Sequence, residues 1–142
     1  MSPTWSAESS APSGASSGTV WSLWSDVSTW EGWNPTLAEA AFDGPIAEGT
    51  AGTLKPKKGP RSKIVLRGVR PGSAFTAESK LPGARLRIEH EVADASERGS
   101  RVTERAVIVG PLAPLWWLLF GRQLERDMGT AVEALARAAE RV

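Results

Sequence analysis

Hydrophobic and polar positions follow two different rhythms in this chain. From Pro111 to Val142 the rhythm is helical. Leu115, Leu119, Leu124, Met128, Val132, Leu135 and Ala139 recur three to five residues apart, which sets them in one stripe of an α-helix. Beyond Pro114 the segment has no proline and is rich in Ala, Leu, Arg and Glu, all good helix formers. A helix continuous from Leu115 would span about 42 Å and needs a large apolar partner surface. Its first turns, Trp116 to Phe120, are apolar all round. They are expected to be buried on more than one side or to lie against something apolar that is not protein. Gly121 and Gly129 each cost about 1 kcal/mol relative to Ala inside a helix, and a local kink or close packing is the favoured reason for them over space kept for a ligand or the sheet.

Between Leu37 and Val109 the rhythm has a period of two. Gly44-Pro45, Gly59-Pro60, Pro71-Gly72, Pro82-Gly83 and Gly110-Pro111 punctuate alternating stretches of strand length: LAEAAFD, GTAGTLKP, SKIVLRGV, SAFTAESKL, ARLRIEHEV and RVTERAVIV. This is the pattern of an antiparallel meander. In ARLRIEHEV, Leu86, Ile88, His90 and Val92 point one way and the charged residues between them the other. Ahead of these strands, residues 4–10 read as a strand and Ala11 to Gly18 as a flexible Ser/Gly/Pro loop. VWSLWSDV follows as a short helix capped by Ser17 or Thr19, and TWEGWNP as a second short turn capped by Ser28 or Thr29 and ended by Pro35. The expected order is strand, two short helices, six strands, long helix, an α+β arrangement.

The length of 142 residues predicts a single domain over residues 1–142 with a proper core. Composition then narrows the chemistry. The absence of cysteine excludes disulfides, thiolate metal sites and a cysteine nucleophile, and a single histidine excludes a multi-histidine metal site. No cofactor or metal is expected. A net charge of +1 argues against wholesale nucleic-acid binding. No apolar run approaches the roughly 20 residues of a membrane span, and no signal peptide is visible, so the cytoplasm is the expected location. Seven tryptophans without a tyrosine suit a bulky apolar interior.

Four groups of residues could carry chemistry. His90 falls on the inward phase of its strand and could serve as general acid or base, although a hydrogen-bonded core histidine is the favoured reading. In RVTERAVIV both faces are partly apolar, so the pattern leaves open whether Glu104 or Arg105 points inward. The inward one needs a partner, and an inward arginine could bind a carboxylate or polarise a carbonyl. Trp21, Trp24, Trp30, Trp33, Trp116 and Trp117 could stack on a planar ligand, with ordinary core packing expected for at least half. Lys55, Lys57, Lys58, Arg61, Lys63, Arg67 and Arg70 form a run with no acidic residue between Glu48 and Glu78. It could touch anionic lipid or nucleic acid, but it lacks interleaved aromatics. A solvated hairpin balanced by the acidic 89–104 region is favoured. There is no phosphate-cradling loop, nucleophile elbow or dinucleotide fingerprint.

The segments WSLWSDVSTWEGWNP, GTLKPKKGPRS, LPGARLRIEHEV and GPLAPLWWLLFGRQLERDM, in this order, resemble the START-like (SRPBCC) superfamily, and its polyketide cyclase/dehydrase-type branch in particular. The resemblance rests on the W-x-x-W-N-P turn and the G-x-L-x-P strand. It covers nearly the whole chain; the Ser/Gly loop after the first strand is longer than the family's. It implies a helix-grip fold: a seven-stranded curved antiparallel sheet wrapped around the long C-terminal helix, with two short helices after the first strand. It also implies a cavity of roughly 300–1,000 Å³ for a small hydrophobic molecule of lipid or polyketide/aromatic type. It brings no universal catalytic motif. The residues expected to line the cavity are Trp33, Phe42, Leu54, Leu66, Phe75, Leu86, Ile88, His90, Arg105, Trp117, Phe120, Leu124 and Met128. Two alternatives accompany ligand binding: a polyketide cyclase/dehydrase-like enzyme with His90 as acid/base, and a non-catalytic interaction protein with a self-filled pocket. Neither nucleic acid nor stable membrane insertion is expected, and the chain is a monomer or a homodimer.

Overall fold

The computed structural model describes residues 4–95 and 99–142. Its elements are β1 (Thr4–Ser13), α1 (Ser17–Trp24), a 3-10 turn (Val27–Thr29), α2 (Trp30–Trp33), β2 (Leu37–Phe42), β3 (Ala51–Pro56), β4 (Ser62–Arg70), β5 (Ala74–Leu81), β6 (Ala84–Asp94), β7 (Ser100–Val109) and α3 (Ala113–Glu140). The strands form one curled antiparallel sheet in the order β1-β7-β6-β5-β4-β3-β2. This is the helix-grip architecture.

β1 is longer than expected. The stretch read as the start of a loop continues the strand: Ala11 pairs with Val102, Pro12 with Arg101 and Ser13 with Ser100. Small polar residues have poor strand propensity, but the ten-residue ladder with β7 overrides it. Pro12 is tolerated because β1 is an edge strand. No long Ser/Gly loop therefore remains. The cap of α1 is Ser16, whose Oγ accepts from the Thr19 amide at 3.2 Å, rather than Ser17 or Thr19. The next turn is capped by Asp26, which accepts from the Ser28 amide; Thr29 precedes α2 without a side-chain cap bond.

α3 is an unbroken helix of 28 residues. It packs chiefly on β1 and β7, at one side of the curl. Its buried stripe is Met128, Ala131, Val132, Leu135, Ala136 and Ala139, and Ser13 Oγ donates to the Ala136 carbonyl at 2.8 Å to tie β1 to it. Leu115 and Leu119 were expected in that stripe, yet they are 46% and 65% exposed. Gly121 is buried under the Trp117 ring, where an added Cβ would lie 2.6 Å from Trp117 Cδ2. Because α3 leans on β1 and β7, the strands on the other side of the curl stand away from it, and the space between is the cavity.

Candidate functional site

The cavity has a volume of about 220 Å³, below the range expected from sequence. Strand alternation builds its walls. Leu86, Ile88 and His90 project from β6, Ala77 and Ser79 from β5, Ile64 from β4 and Leu54 from β3. Trp24, Trp30 and Trp33 close it from the short helices, and Leu124, Asp127, Met128 and Ala131 from α3. Half-buried Trp33, Asn34, Thr36, Pro56 and Ser62 form its rim. Asn34 Oδ1 accepts from the Thr36 amide and hydroxyl at 3.0 and 2.7 Å, which fixes the turn before β2.

The polar part of the wall is a cross-strand pair. His90 and Glu104 are directly opposite in the β6–β7 register, so their side chains share a face. His90 Nε2 lies 3.8 Å from Glu104 Oε1, too far for a direct hydrogen bond. Burial raises the Glu104 carboxyl to about 8, and burial also lowers His90 to about 4. At neutral pH Glu104 is therefore protonated and His90 uncharged, so the pair is not an ion pair. Backbone groups of Ile88 and Phe75 oppose the histidine shift without reaching hydrogen-bonding geometry, and Nδ1 is buried without a partner. The imidazole is held by aromatic packing: Phe75 stacks on it at 4.2 Å and Trp24 meets it edge-on at 5.6 Å.

The expected lining residues divide into three sets. Trp33, Leu54, Leu86, Ile88, His90, Leu124 and Met128 come together around the cavity. Leu66 and Phe75 are buried behind the wall, and Phe42 packs edge-on against Trp30. Arg105, Trp117 and Phe120 lie elsewhere. Arg105 points out of the sheet, its Nη1 3.8 Å from Glu89 Oε1, because the register that turns Glu104 inward turns its neighbour outward. Trp117 stacks on Trp5 at 6.4 Å, while Trp116 donates through Nε1 to the Pro82 carbonyl at 2.7 Å. The two ends of the tryptophan set thus serve different places.

Sequence reasoning left Glu104 open against Arg105 and missed Asp127 and the small residues Ala77 and Ala131 as lining groups. Only a β6–β7 register would have found Glu104. The basic run is open hairpin surface: Arg61 pairs with Glu39, and Lys55 Nζ donates to the Pro56 and Gly59 carbonyls. Among the described residues no ion pair joins it to the 89–104 region, and Glu97 lies outside them. Among the described residues no group of three His, Asp or Glu is placed to hold a metal ion, and no helix is long and apolar enough to cross a membrane.

A search of curated proteins finds no significant match. Solved structures do match in fold. Norcoclaurine synthase from Thalictrum flavum, in complex with dopamine and hydroxybenzaldehyde, superposes with a TM-score of 0.76 at 10% identity, covering 99% of this chain and 88% of that one. A hypothetical protein from Helicobacter pylori gives 0.75 at 12% identity, covering 96% and 88%. Ara h 8.0201 gives 0.71 at 9% identity, covering 99% and 100%. The sequence itself matches the family described as "Polyketide cyclase / dehydrase and lipid transport" over residues 4–140. That span runs from the start of β1 to the end of α3 and takes in every wall of the cavity, so the chain belongs to this START-like family.

Proposed function

We propose that this protein binds a small, uncharged, mainly apolar molecule between the sheet and α3. The observation that carries the reading is the lining, an apolar cavity with one uncharged Glu104–His90 pair and no lysine or arginine. An anionic ligand would lose its hydration there without gaining a counter-charge, and Asp127 on the wall would repel it. Size narrows the class further. A cavity of about 150 Å³ admits benzene, so about 220 Å³ suits a compound of one or two rings better than an enclosed long acyl chain. The protonated Glu104 carboxyl donates one hydrogen bond, which suits a carbonyl or phenol oxygen on an otherwise greasy molecule.

Tryptophan fluorescence tests this directly, since Trp24, Trp30 and Trp33 line the space. Titration with naphthol and a bicyclic ketone should quench saturably, and naphthoate should bind more weakly than naphthol. No saturable response to any neutral ring compound, together with no molecule copurifying by native mass spectrometry, would end the reading.

A second reading is supported by the adjacency of His90 and Glu104: a cyclase/dehydrase-like enzyme in which His90 takes a proton from an enolisable carbon while Glu104 holds the carbonyl oxygen. It ranks second for a quantitative reason. An imidazole held down at about 4 is a weak base at neutral pH, far from the match that makes proton transfer efficient. Turnover of a poly-β-ketone that is lost in His90→Ala while binding persists would promote this reading above the first.

A further inference from the structure

We propose that the protein docks peripherally on anionic lipid surfaces through the N-terminal end of α3. The outward face of this helix is apolar where it starts. Leu118 is 82% exposed, Leu119 65% and Leu115 46%, and Leu112 and Trp5 next to this end are 42% and 44% exposed. Large apolar side chains so grouped mark an interaction surface. Continuing along the same face, Arg122 and Arg126 are exposed. They stand roughly 5 and 10 Å further along the axis than Leu119, so cations that can meet anionic headgroups lie directly beside the exposed leucines. Glu125 flanks them and Glu133 lies two turns beyond. Trp5, stacked on Trp117, and Trp116, anchored to Pro82, sit beside the leucines, as aromatic rings do at the boundary of a bilayer.

Topology adds a second cationic element. Antiparallel neighbours alternate direction, so the β3–β4 turn, the β5–β6 turn and the β7–α3 link all lie at one end of the sheet. The first carries exposed Lys57 and Lys58. Among the described residues no carboxylate pairs with Lys57, Lys58, Arg122 or Arg126. Pro56 and Ser62, which flank that turn, belong to the cavity wall, so docking brings the rim of the cavity to the lipid, where an apolar compound is dissolved. The charges also decide against a second copy as the occupant. Two-fold pairing through this patch would bring the same cations together from both chains, whereas phosphatidylserine complements them. Each basic group near such a surface contributes attraction that decays within a Debye length.

Cosedimentation of the full chain with vesicles is the test. Equimolar phosphatidylcholine and phosphatidylserine vesicles should pellet the protein at low salt, and phosphatidylcholine alone should do so weakly. L118E/L119E should cut partitioning by about tenfold or more with its melting temperature unchanged; L118S/L119S should cut it less. R122E/R126E should lose only the binding that depends on phosphatidylserine and salt. Absence of pelleting at low salt, or L118E/L119E pelleting like the parent chain, overturns the proposal. So does a concentration-dependent dimer that L118E/L119E dissociates in place of vesicle binding. Docking and ligand binding fail separately, since the leucine variants leave the cavity untouched and should still show tryptophan quenching.

Discussion

The two halves of α3 use similar apolar side chains to opposite ends. From Met128 to Ala139, apolar residues at helical spacing face β1 and β7 and are buried to a few per cent exposure. From Leu115 to Phe120 the helix is apolar all round, yet its leucines look into solvent. The difference lies in what stands opposite. The sheet covers one face of the helix and nothing among the described residues covers the other. In the second half that other face is polar, with Glu133 and Arg137 on it; in the first half it is leucine. Burial in the second half stabilises the fold. Apolar surface left open in the first half contributes nothing to folding and is available for contact with something else.

Leu135→Ala gives the largest expected effect on this contrast. Leu135 is fully buried, and truncation should destabilise the fold by about 2–5 kcal/mol, depending on how far the site collapses. Urea denaturation measures it. A loss below 1 kcal/mol would mean that α3 is not gripped where it touches β1 and β7.

The next effect comes from the cavity wall. Between 4.5 and about 8, folded Glu104 keeps a proton that the unfolded chain releases, so stability falls as pH rises through that window. Between about 4 and 6.5, folded His90 excludes a proton that the unfolded chain holds, so stability rises with pH there. The slopes oppose each other up to 6.5. Above it the Glu104 slope stands alone, and at about 1.4 kcal/mol per pH unit the loss by pH 8 is about 2 kcal/mol. Glu104→Gln should flatten this upper slope. An unchanged slope in that variant would show that the carboxyl ionises normally.

A smaller effect is expected from Gly121→Ala, at the boundary between the two halves. The substitution gains about 1 kcal/mol of helix propensity. Against that, the new methyl meets the Trp117 ring well inside contact distance, and overpacking of this kind costs about 1–3 kcal/mol. A net loss of about 1 kcal/mol is expected, with a changed near-ultraviolet signal as Trp117 moves off Trp5. A gain in stability would show that the ring turns aside freely.

How much of this was legible in the sequence depends on whether local pattern or distant pairing decides the matter. The six strands between Leu37 and Val109 were legible because Gly-Pro punctuation and alternation are local. The inward phase of Leu86, Ile88 and His90 was legible for the same reason. The choice between Glu104 and Arg105 was not, since apolar residues occupy both faces of β7; the pairing of His90 with Glu104 across the sheet decides it. The extension of β1 to Ser13 was hidden behind residues that look like a loop until β7 is beside them. In α3 an all-apolar start carries no phase, so Leu115 and Leu119 were counted in a stripe that the sheet buries only from Met128 onward.

The open first half of α3 also yields the smallest predicted effect. Leu118 and Leu135 are the same residue in the same helix, and hydrophobicity alone assigns them equal worth. Leu118 is 82% exposed, so its truncation to Ala removes little surface that folding had taken from water. The expected change is within about 0.5 kcal/mol, set against about 2–5 kcal/mol for Leu135→Ala. Measured side by side in urea, the two leucines should differ by more than a factor of four. If Leu118→Ala costs as much as Leu135→Ala, the first half of α3 is covered in solution, and gel filtration of the variant should then show a smaller particle than the parent chain.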